Sequence, residues 1–141
     1  MSITLNPYLN FRGQAREALE FYASTLGGEP TTTTFAEGGM GDQVAADEQS
    51  LVMHGQLVTP IGLTLMGADS PASMPGTVGA GSVSISLSGD DADELAKYWD
   101  GLTVGGTVTM PFEVAPWGDR FGMFTDRFGF DWMINSVAPA A

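Results

Sequence analysis

The chain has 141 residues, the size of one ordinary domain, and can bury a hydrophobic core without help from disulfides or a structural metal. Five Lys and Arg against 17 Asp and Glu give a formal net charge of −12, which repels phosphate backbones and anionic lipid and so excludes nucleic acid as an expected partner. Cysteine is absent, which removes disulfides, thiolate ligands and thiol nucleophiles; with no apolar run of ~20 residues and no basic-then-apolar leader, a cytoplasmic protein with no membrane attachment is expected.

Residues 3–11 alternate, with Ile3, Leu5, Leu9 and Phe11 on one face and Thr4, Asn6, Tyr8 and Asn10 on the other, the pattern of a half-buried strand. From 14 to 26 the apolar positions Ala15, Ala18, Leu19, Tyr22 and Leu26 recur at steps of three and four before Gly27-Gly28, which predicts an amphipathic helix and its stop. The Thr-rich stretch 30–35 suits a short strand. Residues 36–49, with their glycines and four acidic residues, read as a mobile loop. Strands follow at 50–58 and 61–66 around a tight turn at Thr59-Pro60, and the Gly/Pro-rich stretch 69–81 reads as a linker.

The order then repeats. Residues 82–87 alternate Val83, Ile85 and Leu87 against serines; Asp90 or Asp91 caps a helix running through Leu102; Gly105-Gly106 closes it. Three strands are expected at 107–114, 120–125 and 130–137, with turns at 116–118 and 126–129. The chain therefore reads as one domain of two βαβββ modules, at about 1–70 and 82–137, joined by the linker at about 69–81. Leu5, Leu9 and Phe11, mirrored by Val83, Ile85 and Leu87, are expected to face the helices.

The stretches 7–11 running into 15–22, then Gly27-Gly28, 52–54 and 65–69, and in the second half 105–111, 117–122 and 126–133, are read together. They resemble the PhnB-like branch of the vicinal-oxygen-chelate superfamily, which includes glyoxalase, bleomycin-resistance proteins and ring-cleaving dioxygenases. The resemblance implies an α+β fold whose two modules form an open, mostly antiparallel, barrel-like cleft with helices outside. It also implies a homodimer, in some relatives with exchanged elements.

Metal-dependent members of that superfamily place His or Glu ligands at four strand positions, where a divalent ion polarises substrate oxygens. Here those positions fall at Pro7 or Tyr8, Thr64 or Leu65, Val83 or Ser84, and Met133 or Ile134, none a His, Asp or Glu. No cofactor is therefore expected, a divalent metal on unusual ligands around His54 being the alternative. His54 is the only histidine; its plainer reading is an ordinary hydrogen-bonded imidazole. Asp69, Glu113, Asp126 and Asp131 are spare oxygen donors, at strand ends and turns where acidic residues usually face water.

The segment Trp117-Gly118-Asp119-Arg120 concentrates chemistry-capable side chains. Arg120 serves either as an ion-pair partner of Asp119 or as a fork for a substrate carboxylate or phosphate. Trp117 and Trp132 either wall a cleft or fill the core. The expected function is binding of a small, partly apolar molecule, with Tyr8, Asn10, His54, Ser84, Ser86, Trp117, Arg120 and Trp132 as candidate lining; whether a reaction follows is left open. Two other readings stand beside it: a metal-dependent lyase, isomerase or oxidoreductase of glyoxalase or dioxygenase type, and a structural or partner-binding dimer with no small-molecule role.

Overall fold

The computed structural model describes residues 3–73 and 83–138, which fall into two compact units divided after Gly79. Most of the expected linker lies outside the described residues. No helix among the described residues is long and apolar enough to cross a membrane.

The first unit contains β1 (Tyr8–Phe11), α1 (Ala15–Leu26), β2 (Thr31–Thr34), β3 (Val52–Val58) and β4 (Thr64–Asp69). Its four strands form one open sheet in the order β1-β4-β3-β2, with β1 parallel to β4 and the other two pairs antiparallel. The apolar stripe of α1, with Ala15, Ala18, Leu19 and Tyr22 buried, covers one face of this sheet. Leu9, Phe11, Leu57 and Leu65 are buried with it, each contributing about 1.5–3 kcal/mol of transfer free energy. Two strand glycines mark the tight side. A Cβ at Gly55 would lie 2.6 Å from Leu19 Cδ1, and one at Gly67 would lie 3.1 Å from the Phe11 ring. Among the described residues, no α-helix of this unit lies on the opposite face.

Several sequence expectations change here. The strand expected from residue 3 begins only at Tyr8, and Ile3 and Leu5 are fully exposed instead of packed on the helix. Pro7 explains the limit: its carbonyl accepts from Met66 N at 3.0 Å, but it has no N–H to return, so the ladder stops. The turn at Thr59-Pro60 extends to Leu63, with Thr59 N donating to Leu63 O at 2.9 Å and Thr59 Oγ1 accepting from Leu63 N at 3.0 Å, so β4 starts at Thr64.

The stretch 36–49 holds two 3-10 turns, Gly41–Gln43 and Ala46–Glu48, and is not an unstructured loop. It is tied by Thr34 N to Glu37 Oε1 at 2.9 Å and by Ala72 N to Glu48 Oε2 at 2.8 Å. Hydrogen bonding of the Glu37 carboxylate to the backbone N–H and then the side chain of Thr34 holds it below the ordinary glutamate value.

Asp69 is not the start of a linker but the last residue of β4. It is buried, and its carboxylate accepts from the backbone nitrogens of Gly13, Ala15 and Val52 at 2.8, 3.0 and 3.0 Å.

The second unit contains β5 (Ile85–Gly89), α2 (Ala92–Leu102), β6 (Thr107–Val114), β7 (Arg120–Thr125) and β8 (Asp131–Ser136), with strand order β5-β8-β7-β6. Again the first and last strands pair parallel and the rest antiparallel. Asp91 caps α2 by accepting from Glu94 N at 3.2 Å. Beneath α2, Trp99 stacks on Phe112 at 5.2 Å and meets Phe124 edge-on at 5.1 Å, and Phe124 stacks on Trp132 at 6.2 Å.

In this unit Ile85 and Leu87 are half-buried on the helix side, whereas Val83 precedes β5 and is 79% exposed, against expectation. Asp126 does not face water either. It is 3% exposed, accepting from Phe128 N, Phe130 N and Trp132 Nε1 at 2.8, 3.1 and 2.8 Å.

Candidate ligand-binding face of the first sheet

Strand alternation sorts the first sheet into two chemistries. Leu9, Phe11, Gly55, Leu57, Gly67 and Asp69 point to α1; Tyr8, Asn10, His54, Gln56, Met66 and Ala68 point away from it. The register places Tyr8 opposite Met66 and Asn10 opposite Ala68, with Gln56 on the far side of Met66. A methyl group at Ala68 leaves room above β4, and Tyr8 reaches across it. Its hydroxyl lies 3.1 Å from His54 Nδ1, and the two rings are tilted with centroids 5.7 Å apart.

With the hydroxyl donating to Nδ1, the other ring nitrogen carries the proton and can donate to an oxygen laid on this face; with the opposite tautomer, Nε2 accepts. Partial burial of Tyr8 pushes its phenol above the ordinary value of 10.0, so it remains a neutral donor at physiological pH. Tyr8 is 45% exposed and Asn10 is exposed, so both can be reached from solvent. Sequence reasoning missed Gln56, although it lies two residues beyond His54 on the same strand and the same alternation would have found it.

The remaining candidates separate. Ser86 lies on the side of the second sheet away from α2 and is exposed; Ser84 precedes β5 and is also exposed. Trp117, 62% exposed in the turn before β7, meets the Phe121 ring edge-on at 5.6 Å. Arg120 points to the helix side: Nε donates to Phe112 O at 3.1 Å and the guanidinium lies 4.3 Å above the Phe112 ring. Asp119 does not pair with it. Asp119 accepts from Asn135 Nδ2 at 3.1 Å and Ala138 N at 2.9 Å, contacts that hold its carboxyl below the ordinary aspartate value. Trp132 is 1% exposed with its indole N–H committed to Asp126, so it is core and not a wall for a ligand.

A catalytic divalent ion of the family's kind needs at least three converging imidazole or carboxylate donors. Among the described residues no such group of His, Asp or Glu exists. The one imidazole is turned to a phenol, and the neighbouring side chains on its face are an amide, a thioether and a methyl. The residues present do not fit that ion.

Residues 4–134 match the model of the Glyoxalase/Bleomycin resistance protein/Dioxygenase superfamily, and the chain belongs to that superfamily. It is similar to protein YjdN of Escherichia coli (strain K12), 28% identical across 94% of this chain and 95% of that one. Among solved structures it is similar to protein PA1353 from Pseudomonas aeruginosa, at 36% identity and TM-score 0.83 over 98% of this chain and 100% of the other. The PhnB protein from Bacillus cereus shares the fold at 21% identity and TM-score 0.74, over 96% and 100% of the two chains.

Proposed function

We propose that the chain binds a small, partly apolar molecule bearing a carbonyl or similar acceptor oxygen, laid on the face of the first sheet opposite α1. The Tyr8–His54 hydrogen bond carries this reading. A paired phenol and imidazole on an exposed sheet face have no part in the core, yet they fix one another's orientation and leave one ring nitrogen for a ligand. Met66 and Ala68 supply an apolar floor, and Asn10 and Gln56 supply amide groups at its edges. Metal-independent binding of this kind is supported by the donor set of the described residues, and the likeness in fold to the PhnB protein supports the PhnB-like branch.

The test is a thermal-shift and NMR screen of the full chain with aryl ketones, acetophenone first. Binding should shift the amide resonances of Asn10, Gln56, Met66 and Ala68. Tyr8→Phe keeps the ring and should weaken binding by about 1 kcal/mol, roughly fivefold. Unchanged affinity in both Tyr8→Phe and His54→Gln would reject the reading.

The assembly we infer is a cytoplasmic homodimer. Fully exposed Ile3 and Leu5 support an apolar contact with a second copy, which must be large enough to offset repulsion between chains of net charge −12. Light scattering should return twice 14.8 kDa.

A further inference from the structure

Each unit has a concavity where its first strand ends, its helix begins and its last strand finishes. In the first unit it is small, about 230 Å³, bordered by Arg12, Gly13 and Ser70. There the buried Asp69 carboxylate fills the space beside the start of α1. In the second unit the matching residue is Ser136: it pairs with Gly89 as Asp69 pairs with Phe11, and Val137 N donates to Gly89 O as Ser70 N donates to Phe11 O, both at 2.7 Å. Serine is the shorter side chain, and the concavity beside it is about 600 Å³, within the range of small-molecule sites.

Three polar groups among its lining have unused capacity. Arg120 is fixed through Nε and by its stack on Phe112, but its two terminal amino groups meet no described partner. The Asp90 carboxylate likewise accepts from no described group. Ser136 is only 4% exposed, and its hydroxyl makes no hydrogen bond with the described residues although it lines the concavity. Arg120 and Asp90 do not neutralise each other, since no ion pair joins them. Val114, Val137 and Ala92 add apolar surface.

An arginine fork and a separate carboxylate in one hollow suit a ligand with both charges. A bare anion would meet Asp90 and the repulsion of a chain at −12, and a bare cation would meet Arg120, whereas a zwitterion has no net charge to be repelled. We propose that this hollow is a binding site for a small aliphatic zwitterion of the amino-acid type, its carboxylate on the Arg120 fork and Ser136 hydroxyl and its ammonium on Asp90. A guanidinium held in place by Phe112 loses little freedom on binding, and its planar fork matches a carboxylate. The site is separate from the first-sheet face and does not rest on the function proposed for it.

The experiment is an amide NMR titration of the full chain with L-leucine and with 6-aminohexanoate, which space their charges differently, and with isovalerate and isopentylamine as single-charge controls. At least one zwitterion should shift the amides of Ala92, Val114, Gly118 and Val137 and bind about tenfold more tightly than either control. Arg120→Met and Asp90→Asn should each weaken that zwitterion about tenfold, while Asp90→Asn leaves isovalerate unchanged or tighter. Dispersed, native-like spectra of the variants serve as the folding check. No shift from either zwitterion at about 10 mM, a control that binds as tightly, or zwitterion affinity unchanged in a folded Asp90→Asn chain would each overturn the proposal.

Discussion

Asp69 Oδ1 lies 3.0 Å from the backbone nitrogen of Ala15, so the last residue of β4 caps the first turn of a helix 54 positions earlier in the chain. The helix needs it. Gln14, at the N-cap position of α1, makes no side-chain capping bond, whereas α2 has its own cap in Asp91. A remote carboxylate thus joins β4 to the helix start and, through Val52 N, to β3.

Removing that carboxylate should unlatch all three. Asp69→Ala leaves buried N–H groups unpaired and should cost about 3 kcal/mol, read from the denaturant midpoint. Asp126→Ala should cost a similar amount, because it strands Phe128 N, Phe130 N and the Trp132 indole. A loss below about 1 kcal/mol at either site would contradict the capping role.

Gly122 is a place where a single methyl group should disturb the aromatic stack of the second unit. A Cβ there would lie 2.7 Å from the Trp99 ring and 2.8 Å from Phe112 Cα, the first part of a stacked pair and the second backbone. Gly122→Ala should destabilise by about 1–3 kcal/mol and change the near-ultraviolet circular dichroism of Trp99. An unchanged spectrum and midpoint would show that the aromatic stack shifts freely.

Asp119 makes a prediction about acid. The Ala138 N–H and the Asn135 amide hold its carboxyl below the ordinary value of 3.8, so the folded chain binds that proton less readily than the unfolded one. Its contribution to stability is therefore complete above the ordinary value and is lost as pH falls through the lowered one. Asp119→Asn should flatten the acid limb of the stability curve in that window and leave the neutral region nearly parallel. A variant as acid-sensitive as the parent would place the effect elsewhere.

The donor set predicts weak metal binding. Titration of the purified chain with zinc, nickel or manganese should show no stoichiometric site tighter than about 10 μM, since one imidazole without converging carboxylates provides too few ligands. One tightly held ion per chain, lost in His54→Ala, would restore the metal-dependent reading.

Element order was legible because the signals were local: period-four apolar residues before Gly27-Gly28, Asp91 before the second helix, alternation of Ile85 and Leu87 against serines in β5. Gly27 and Gly28 adopt φ of 89° and 85°, the left-handed region that ends a helix at glycine. What stayed hidden depended on partners distant in sequence. Nothing around Asp69 says that it will meet Gly13 and Ala15, so it read as a solvated strand end. Ile3 and Leu5 alternate like a strand, but their pairing depends on where β4 begins. The site was legible in part for the same reason. Tyr8, Asn10 and His54 could be named as residue types, whereas the bond between Tyr8 and His54 needs β1 and β3 on either side of β4. Arg120 and Trp132 could not be assigned a face because Phe112 and Asp126, which hold them, are contacts that only the folded second sheet creates.

The most direct measurement is a crystal structure of the chain soaked with an acetophenone-class ligand that binds in the screen. The account predicts density on the first sheet over Ala68 and Met66, with the ligand oxygen within about 3.2 Å of His54 Nε2 or Tyr8 Oη. Density placed elsewhere, with the Tyr8–His54 bond unaltered and its face empty, would contradict it.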